Sequence, residues 1–214
     1  DGSFTAQLAV SKALIEAKLG NNSLDDLNIG IYTFAGSGAS SADYETFTPI
    51  TFVNPEPSVT VSKTEFVGAE EAVVTVAGKN FDPSLATGAR PPLAGKPAGA
   101  YVVFGAFADE WQPSKGAGSS TRPVNAGQKW AVSAGDMGTI GGANAGAIEL
   151  KADGSFTAEL TVSKALLEAK RSDLTGLNPG IYTYSGSGAT QAKYETFTSI
   201  EFSNPEPSVT VSKT

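Results

Sequence analysis

One stretch of this chain is written twice. Residues 1–18 recur as residues 153–170, and residues 27–64 recur as residues 177–214, with 44 of the 56 aligned positions identical. A register of about 150 residues is too long for a solenoid unit. It suits a complete domain copied in tandem.

The repeat predicts how the chain is divided. We expect residues 1–56 to be the C-terminal half of a repeat, residues 57–207 a complete repeat, and residues 208–214 the first strand of a following one. The 24 glycines, 12 prolines and 40% hydrophobic residues are typical of a globular, turn-rich protein. Residues 1–56 alone fall near the size at which a core fails without disulfides or partners.

The composition excludes several chemistries. The chain has no cysteine and no histidine, which excludes thiol nucleophiles, imidazole bases and the usual zinc and haem ligands within these residues. A formal charge of −7 argues against binding to nucleic acid. No stretch approaches the roughly 18 apolar residues of a membrane span. We therefore expect no catalytic residues, no cofactor, no nucleic-acid partner and no membrane span here.

Alternating apolar residues predict strands in both copies. The apolar set is Phe4, Ala6, Leu8 and Val10 in the first copy, and Phe156, Ala158, Leu160 and Val162 in the second. Between the copies, substitutions fall on the opposite face of the strand, which is the face predicted to be outward. Residues 48–53 are predicted to be a second core-facing strand, with a bulge or bend near Thr48 or Thr198.

The complete repeat reads as about seven short strands. They are predicted around Val59–Val61, Val73–Val76, Tyr101–Phe107, Ala147–Leu150, Phe156–Val162, Gly180–Tyr184 and Tyr194–Phe202. Residues 164–170 read as a helix, and residues 152–155 as a hairpin turn. This pattern predicts an all-β fold, an immunoglobulin-like β-sandwich in tandem repeats.

One long excursion interrupts the strands. Residues 109–146 exceed ordinary loop lengths and are predicted to cap one end of the sandwich. Within them Asp109, Glu110, Trp111 and Trp130 are the candidate ligand-binding residues, because carboxylates beside an indole ring suit a sugar. The alternative is that both tryptophans only anchor the loop.

Two proline-braced stretches join the repeats. Pro55 and Pro57 recur as Pro205 and Pro207, and two prolines in four residues favour a stiff linker. A rod of modules follows from this pattern. A rival hypothesis is strand donation, in which Val209 and Val211 of one molecule pair with the open half-repeat of another.

Two further hypotheses concern the surface residues. Asp25, Asp26, Asp82, Asp109 and Asp136 offer oxygen ligands for calcium, but their spacing resembles no EF-hand loop, so no metal site is predicted. Covalent Lys–Asn crosslinks strengthen some surface sandwiches, and Lys63, Lys79, Asn54 and Asn204 are placed near predicted strand ends. Solvated lysines and linker asparagines are the simpler interpretation.

Several motifs point to a family. They are residues 78–83 (GKNFDP), 101–111 (YVVFGAFADEW), 153–157 (DGSFT), 180–184 (GIYTY) and 194–198 (YETFT). They resemble the immunoglobulin-like repeats of actinobacterial cell-surface proteins, which often accompany haem-transport domains, and more distantly the neocarzinostatin-type sandwich. The resemblance implies secretion and attachment to the wall or surface. No ligand site is carried over from it.

Two functions remain open from the sequence. The first is a non-enzymatic extracellular protein that forms a stalk, fibre or adhesive array on a bacterial surface, with neighbouring repeats or its own copies as partners. The second is a module that grips a glycan or small hydrophobic molecule, or a surface receptor, through residues 109–146. The second requires a concave aromatic pocket, whereas the first predicts that both tryptophans are buried.

Overall fold

The computed structural model describes residues 1–19, 24, 27–53 and 55–205. The chain divides into two compact units, Asp1–Asn54 and Pro55–Thr214, here called unit 1 and unit 2. Several residues singled out above lie outside the described residues: Asp25, Asp26, Asn54, Pro207, Val209 and Val211.

The described residues of unit 1 form one α-helix and one β-hairpin. Helix α1 spans Lys12–Leu19, and strands β1 (Gly30–Thr33) and β2 (Thr46–Pro49) pair antiparallel. Ser11 caps the helix, because its Oγ accepts a hydrogen bond from the Leu14 amide at 3.2 Å. The helix and the hairpin of unit 1 therefore form their backbone hydrogen bonds between residues that are close in the sequence.

The strand predicted for Phe4–Val10 is wrong in unit 1. Residues 1–11 form neither helix nor strand, and they are exposed up to Val10. An isolated strand leaves its amides and carbonyls unpaired. In the described part of unit 1 no strand pairs with these residues, although Leu8 and Val10 line a pocket together with Gly30 and Ile31 of β1.

The described residues of unit 2 form ten strands and one α-helix. In chain order the strands are β3 (Ser58–Val61), β4 (Glu65–Val67), β5 (Glu71–Lys79), β6 (Ala100–Phe107), β7 (Val124–Val132), β8 (Ala147–Glu149), β9 (Phe156–Ser163), β10 (Asn178–Ser185), β11 (Thr196–Ser199) and β12 (Glu201–Ser203). Helix α2 spans Lys164–Lys170 and directly follows β9. The predicted all-β class is confirmed, since strands in several sheets dominate and helices are few.

The strands described in unit 2 form three sheets. A five-stranded sheet has the order β11-β10-β6-β7-β8, a three-stranded sheet the order β3-β5-β9, and a two-stranded sheet pairs β12 with β4. Most neighbours are antiparallel, but β12 pairs with β4, and β7 with β8, in parallel. The last strand of the unit, β12, thus pairs with β4, which lies near its start.

One hydrophobic core is drawn from all three sheets. Alternate residues of β9 are buried, as predicted for residues 156–162, and they pack with residues of β5, β6, β10 and β12. The core includes Phe66, Val74, Val76, Val102, Phe104, Phe156, Leu160, Val162, Ile181 and Ile200. Burial of this apolar surface is the main stabilising contribution to the unit.

The predicted excursion of residues 109–146 contains a strand. Seven of the nine residues of β7 pair along β6, with a shift in register between Phe104 and Gly105. Residues 109–146 are therefore not one long loop. Strand β4 was also not predicted, and the last predicted strand is interrupted at Ile200, where the chain leaves β10 and begins to pair with β4.

The duplicated hairpins have the same backbone pairing. Gly30 lies opposite Pro49 in unit 1, and Gly180 lies opposite Ser199 in unit 2. The caps of the helices match as well, because Ser163 Oγ accepts from the Leu166 amide at 3.3 Å. The helix and hairpin are therefore set by local sequence, whereas β9 forms only where a partner strand exists.

Candidate functional site

A second apolar cluster covers the face of the five-stranded sheet that points away from the main core. Along β6 and β10 the side chains alternate, so that Val103, Phe107 and Tyr182 lie on this face while their neighbours enter the core. Trp111 completes the buried cluster, and Tyr101 and Tyr184 pack against it. We call these six residues the outer aromatic cluster.

The segment that follows β6 is held down on this cluster by Arg122. Its guanidinium donates to the Trp111 carbonyl oxygen at 2.6 Å and to the Ala117 carbonyl oxygen at 3.3 Å. It also lies over the ring of Tyr184, 5.4 Å from the centroid. Trp111 is consequently 4% exposed and makes an edge contact with Tyr182 at 5.0 Å.

A cavity of about 310 Å³ opens beside the cluster. Its wall is aromatic on one side, where the Phe197 ring stacks on Tyr182 with centroids 4.7 Å apart. The lining also includes Asp109, Trp111, Asn178 and Glu195. Strand order brings these residues together, since β10 lies between β6 and β11.

Both carboxylates at the cavity are tied by hydrogen bonds. Asp109 Oδ1 accepts from the Asn178 side-chain amide at 2.8 Å. Glu195 accepts from the Ser114 backbone amide at 2.7 Å and from the Ser114 hydroxyl. These bonds fasten the segment after β6 to β10 and to the turn before β11, and they orient both carboxylates.

The tyrosine beneath the cavity is held neutral. Burial raises the pKa of Tyr182 well above its ordinary value, and the charge of Asp109 acts in the same direction. The Tyr182 hydroxyl donates to the Asn178 carbonyl oxygen. The site thus offers oriented oxygen acceptors beside an apolar wall, which suits a neutral ligand with hydroxyl groups.

The predicted ligand-binding residues do not all converge. Asp109 and Trp111 line the cavity, but Glu110 is exposed and is not part of its lining. Trp130 lies on β7, where its indole N–H donates to the Ala98 carbonyl oxygen at 2.8 Å and its ring packs on Tyr101 at 4.8 Å. Asn178, Glu195 and Phe197 were not predicted, because only the strand order places them beside Asp109.

The calcium candidates that the structure describes have other partners. Asp82 accepts from the Ser84 amide at 3.0 Å, and Asp136 pairs with Lys96 at 2.9 Å and accepts from Ser133. The Lys96 ammonium holds the pKa of the Asp136 carboxyl below its usual value. Over the described ranges, no group of three or more acidic residues is placed to hold a metal ion.

The lysines considered for covalent crosslinks are solvated. Lys63 forms an ion pair with Glu70 and lies over the Phe66 ring, 5.1 Å from its centroid. Lys79 and Asn204 are exposed. In the part of the chain that the structure describes, the buried polar residues are serines and one threonine: Ser163, Thr183, Ser185 and Ser187.

The linker before β3 is fastened to unit 2. The Asn80 side chain donates to the Glu56 carbonyl oxygen at 3.1 Å, and the Glu56 carboxylate pairs with Lys193 at 2.9 Å. Glu56 lies between the predicted linker residues Pro55 and Pro57, so this side of the linker has a defined path along the unit. At the other end, the ring of Pro205 lies near Gly68.

Comparisons with protein-family models, with curated proteins and with solved structures found no match to this chain. No helix within the described residues is long and apolar enough to cross a membrane.

Proposed function

We propose that the chain is a non-enzymatic, load-bearing repeat protein of a bacterial cell surface, in which immunoglobulin-like sandwiches are joined in tandem into a stalk, fibre or adhesive array. Its location would be extracellular, secreted or attached to the cell wall. The partners would be neighbouring repeats or copies of the same chain.

The strand order of unit 2 supports an immunoglobulin-like sandwich. In that fold the strands named A, B and E form one sheet, and G, F and C form the other. The order β3-β5-β9 corresponds to the first set, and β11-β10-β6 to the second, with β7 and β8 extending the edge. The aromatic and aliphatic core between them provides the rigidity that a stalk needs.

The observation that carries the proposal is the parallel pairing of β4 with β12. Strand β4 lies near the start of unit 2 and β12 near its end, and Phe66 pairs with Phe202. Two flanking bonds extend the pairing, from the Glu201 amide to the Thr64 carbonyl and from the Gly68 amide to the Ser203 carbonyl, both 2.8 Å. Tension applied at the two ends loads these hydrogen bonds in shear, so several must break together.

Single-molecule force spectroscopy on the full chain tests this. We expect unit 2 to unfold in one resolved force peak with a length gain on the order of 50 nm. Glu201→Pro removes the amide that bonds Thr64 and should lower the peak force. Glu201→Ala keeps that amide and is the matched control. Unfolding of unit 2 without a resolvable peak would show that the load-bearing function is wrong.

Electron microscopy of the native material tests the assembly. Rods or bundled filaments are the expected result, because two prolines in four residues favour a stiff linker between repeats. Isolated compact particles would contradict a stalk or fibre.

The cavity beside the outer aromatic cluster favours a second candidate function, the binding of a glycan or small hydrophobic molecule. Phe197 is its exposed aromatic wall, and Asp109 and Glu195 are oriented acceptors. Isothermal titration calorimetry of the full chain with neutral oligosaccharides tests this function. Phe197→Ala should abolish binding, whereas Phe47→Ala, the equivalent change in unit 1, should leave it intact. Absence of heat from any neutral oligosaccharide tried would remove the glycan hypothesis.

A further inference from the structure

Unit 1 exposes the residues that unit 2 buries at the equivalent positions. Phe4 is 80% exposed, whereas Phe156 is 2% exposed. Leu8 is 65% exposed, whereas Leu160 is 4% exposed. The local sequences are nearly the same, so this difference comes from what covers each copy.

In unit 2, two strands from the front half of the repeat, residues 57–152, pair with strands of its back half. Strand β5 pairs antiparallel with β9, placing Val74 opposite Leu160 and Val76 opposite Ala158. Strand β6 pairs with the free edge of β10 and places Val103 opposite Tyr182. Unit 1 keeps the pairing of β1 with β2, but none of its described residues lies along the other edge of β1 in a strand.

A tyrosine that occurs in both units shows the same difference in burial. Tyr194 is fully buried, packs on Phe81 at 5.2 Å and donates to the Asp82 carbonyl oxygen. Its equivalent Tyr44 is 64% exposed. Both partners of Tyr194 belong to the segment between β5 and β6, so the front half of the repeat is again what buries it.

We infer that the exposed apolar surface of unit 1 that includes Phe4, Leu8, Val10 and Tyr44, the equivalents of main-core residues of unit 2, binds the front half of a repeat of this kind. The occupant is a polypeptide with the sequence pattern of residues 57–152. Its β5-like strand pairs with residues 4–10, and its β6-like strand pairs with the free edge of β1. This inference rests on the equivalence of the two copies and not on the load-bearing function.

The substitutions between the copies fit this occupant. These four residues are identical in the second copy, where Phe156, Leu160, Val162 and Tyr194 are their equivalents. The changes Gln7 to Glu159 and Ala9 to Thr161 fall on alternate positions that are exposed in β9. These four core-facing residues are therefore the same in both copies, whereas the changes at Gln7 and Ala9 fall on the opposite face of the strand.

A single donated strand does not fit as well. Residues 207–214 have the sequence of residues 57–64, and in unit 2 that segment forms β3 and pairs with β5. The described part of unit 1 has no equivalent of β5. A lone β3-like strand would thus lack its main hydrogen-bonding partner, and it would leave the edge of β1 unpaired.

The test compares the full chain with a chain that carries a second copy of residues 57–152 joined before Asp1, which recreates the Ala152–Asp153 junction. Hydrogen exchange followed by mass spectrometry reads residues 4–10 and 156–162 separately, because Gln7 and Ala9 distinguish the first segment. In the full chain we expect residues 4–10 to exchange on the order of 100-fold faster than residues 156–162. In the extended chain, we expect their exchange to slow to within about tenfold of that segment.

The control is the extended chain with Val74→Asp and Val76→Asp in the added copy only. It should leave residues 4–10 fast, while protection of residues 156–162 shows that unit 2 is folded. Fast exchange of residues 4–10 in the unmodified extended chain would overturn the inference. Protection of residues 4–10 in the full chain, whose residues 57–152 are already paired within unit 2, would also overturn it, because something other than a free front half would then cover the surface.

Discussion

Phe202 lies directly opposite Phe66 in the parallel pairing of β12 with β4, and the two ring centroids are 5.6 Å apart. Phe66 is buried in the main core, and Lys63 lies over its outer ring face. The contact joins the beginning of unit 2 to its end. It therefore links the two ends of the unit and also fills part of the core.

Phe66→Ala should destabilise unit 2 by about 3–5 kcal/mol, because it removes a large side chain from a close-packed site. Urea unfolding followed by tryptophan fluorescence measures this, since Trp111 and Trp130 both belong to unit 2. Val67→Ala alters the next, exposed residue of β4 and should change the stability by no more than about 0.5 kcal/mol. Equal effects of the two variants would contradict the role assigned to Phe66.

A second matched pair separates sequence from context. Phe156 packs edge-on against Phe81 with centroids 5.0 Å apart, whereas Phe4 occupies the same local sequence and is exposed. Phe156→Ala should cost about 3–5 kcal/mol in the unfolding of unit 2. Phe4→Ala should leave that unfolding unchanged within about 0.5 kcal/mol. A destabilisation by Phe4→Ala as large as that by Phe156→Ala would contradict the exposed placement of residues 1–11.

The two phenylalanines also explain how far the sequence predicts the fold. Period-two alternation identifies an apolar face, but a strand needs a partner for its backbone, and alternation is the same at residues 4–10 and 156–162. Helices and hairpins fold through bonds between near neighbours, so α1, α2 and both hairpins form alike. Local sequence patterns predict helices and hairpins well, whereas the pairing of a strand edge depends on segments that are distant in the sequence.

Strand β7 is the opposite case, because it forms although the sequence did not predict a strand there. Gly127 and several polar residues weaken its apolar pattern, and its pairing with β6 supplies what the pattern lacks. The cavity follows the same principle. Asp109 and Trp111 form a local cluster in the sequence, but Glu195 is brought beside them only by the placement of β10 between β6 and β11.

Gly186 is packed too closely for a side chain. A Cβ atom there would overlap the Trp130 indole nitrogen and the Ala98 carbonyl oxygen, which are hydrogen-bonded to each other. Gly186→Ala should destabilise unit 2 by about 1–3 kcal/mol and should alter the fluorescence of Trp130. At the equivalent Gly36, a Cβ atom would meet no other atom within 4 Å.

Gly36→Ala is therefore the matched control for Gly186→Ala, with the same substitution in the same Gly-Ser-Gly sequence. It should leave both the urea midpoint and the tryptophan emission of unit 2 unchanged. A neutral Gly186→Ala would mean that Trp130 can move away from β10 without cost, and that its bond to Ala98 does not fix the indole.

Two buried tyrosines and one half-buried tyrosine make unit 2 sensitive to alkali. Burial raises the pKa values of Tyr182, Tyr184 and Tyr194 above the ordinary value of 10.0. In the unfolded chain these groups lose their protons near pH 10. The native state then binds more protons than the unfolded state, so the free energy of unfolding falls as the pH rises.

We expect the urea midpoint of unit 2 to fall steeply once the pH passes about 10, the ordinary tyrosine pKa. Tyr194→Phe should lower the stability at neutral pH, because the bond to the Asp82 carbonyl is lost, and should make the alkaline fall shallower. Tyr44→Phe, the same change in unit 1, should alter neither. Urea titrations at several pH values between about 7 and 11.5 measure the slopes. An unchanged alkaline slope in Tyr194→Phe would contradict the raised pKa of that hydroxyl.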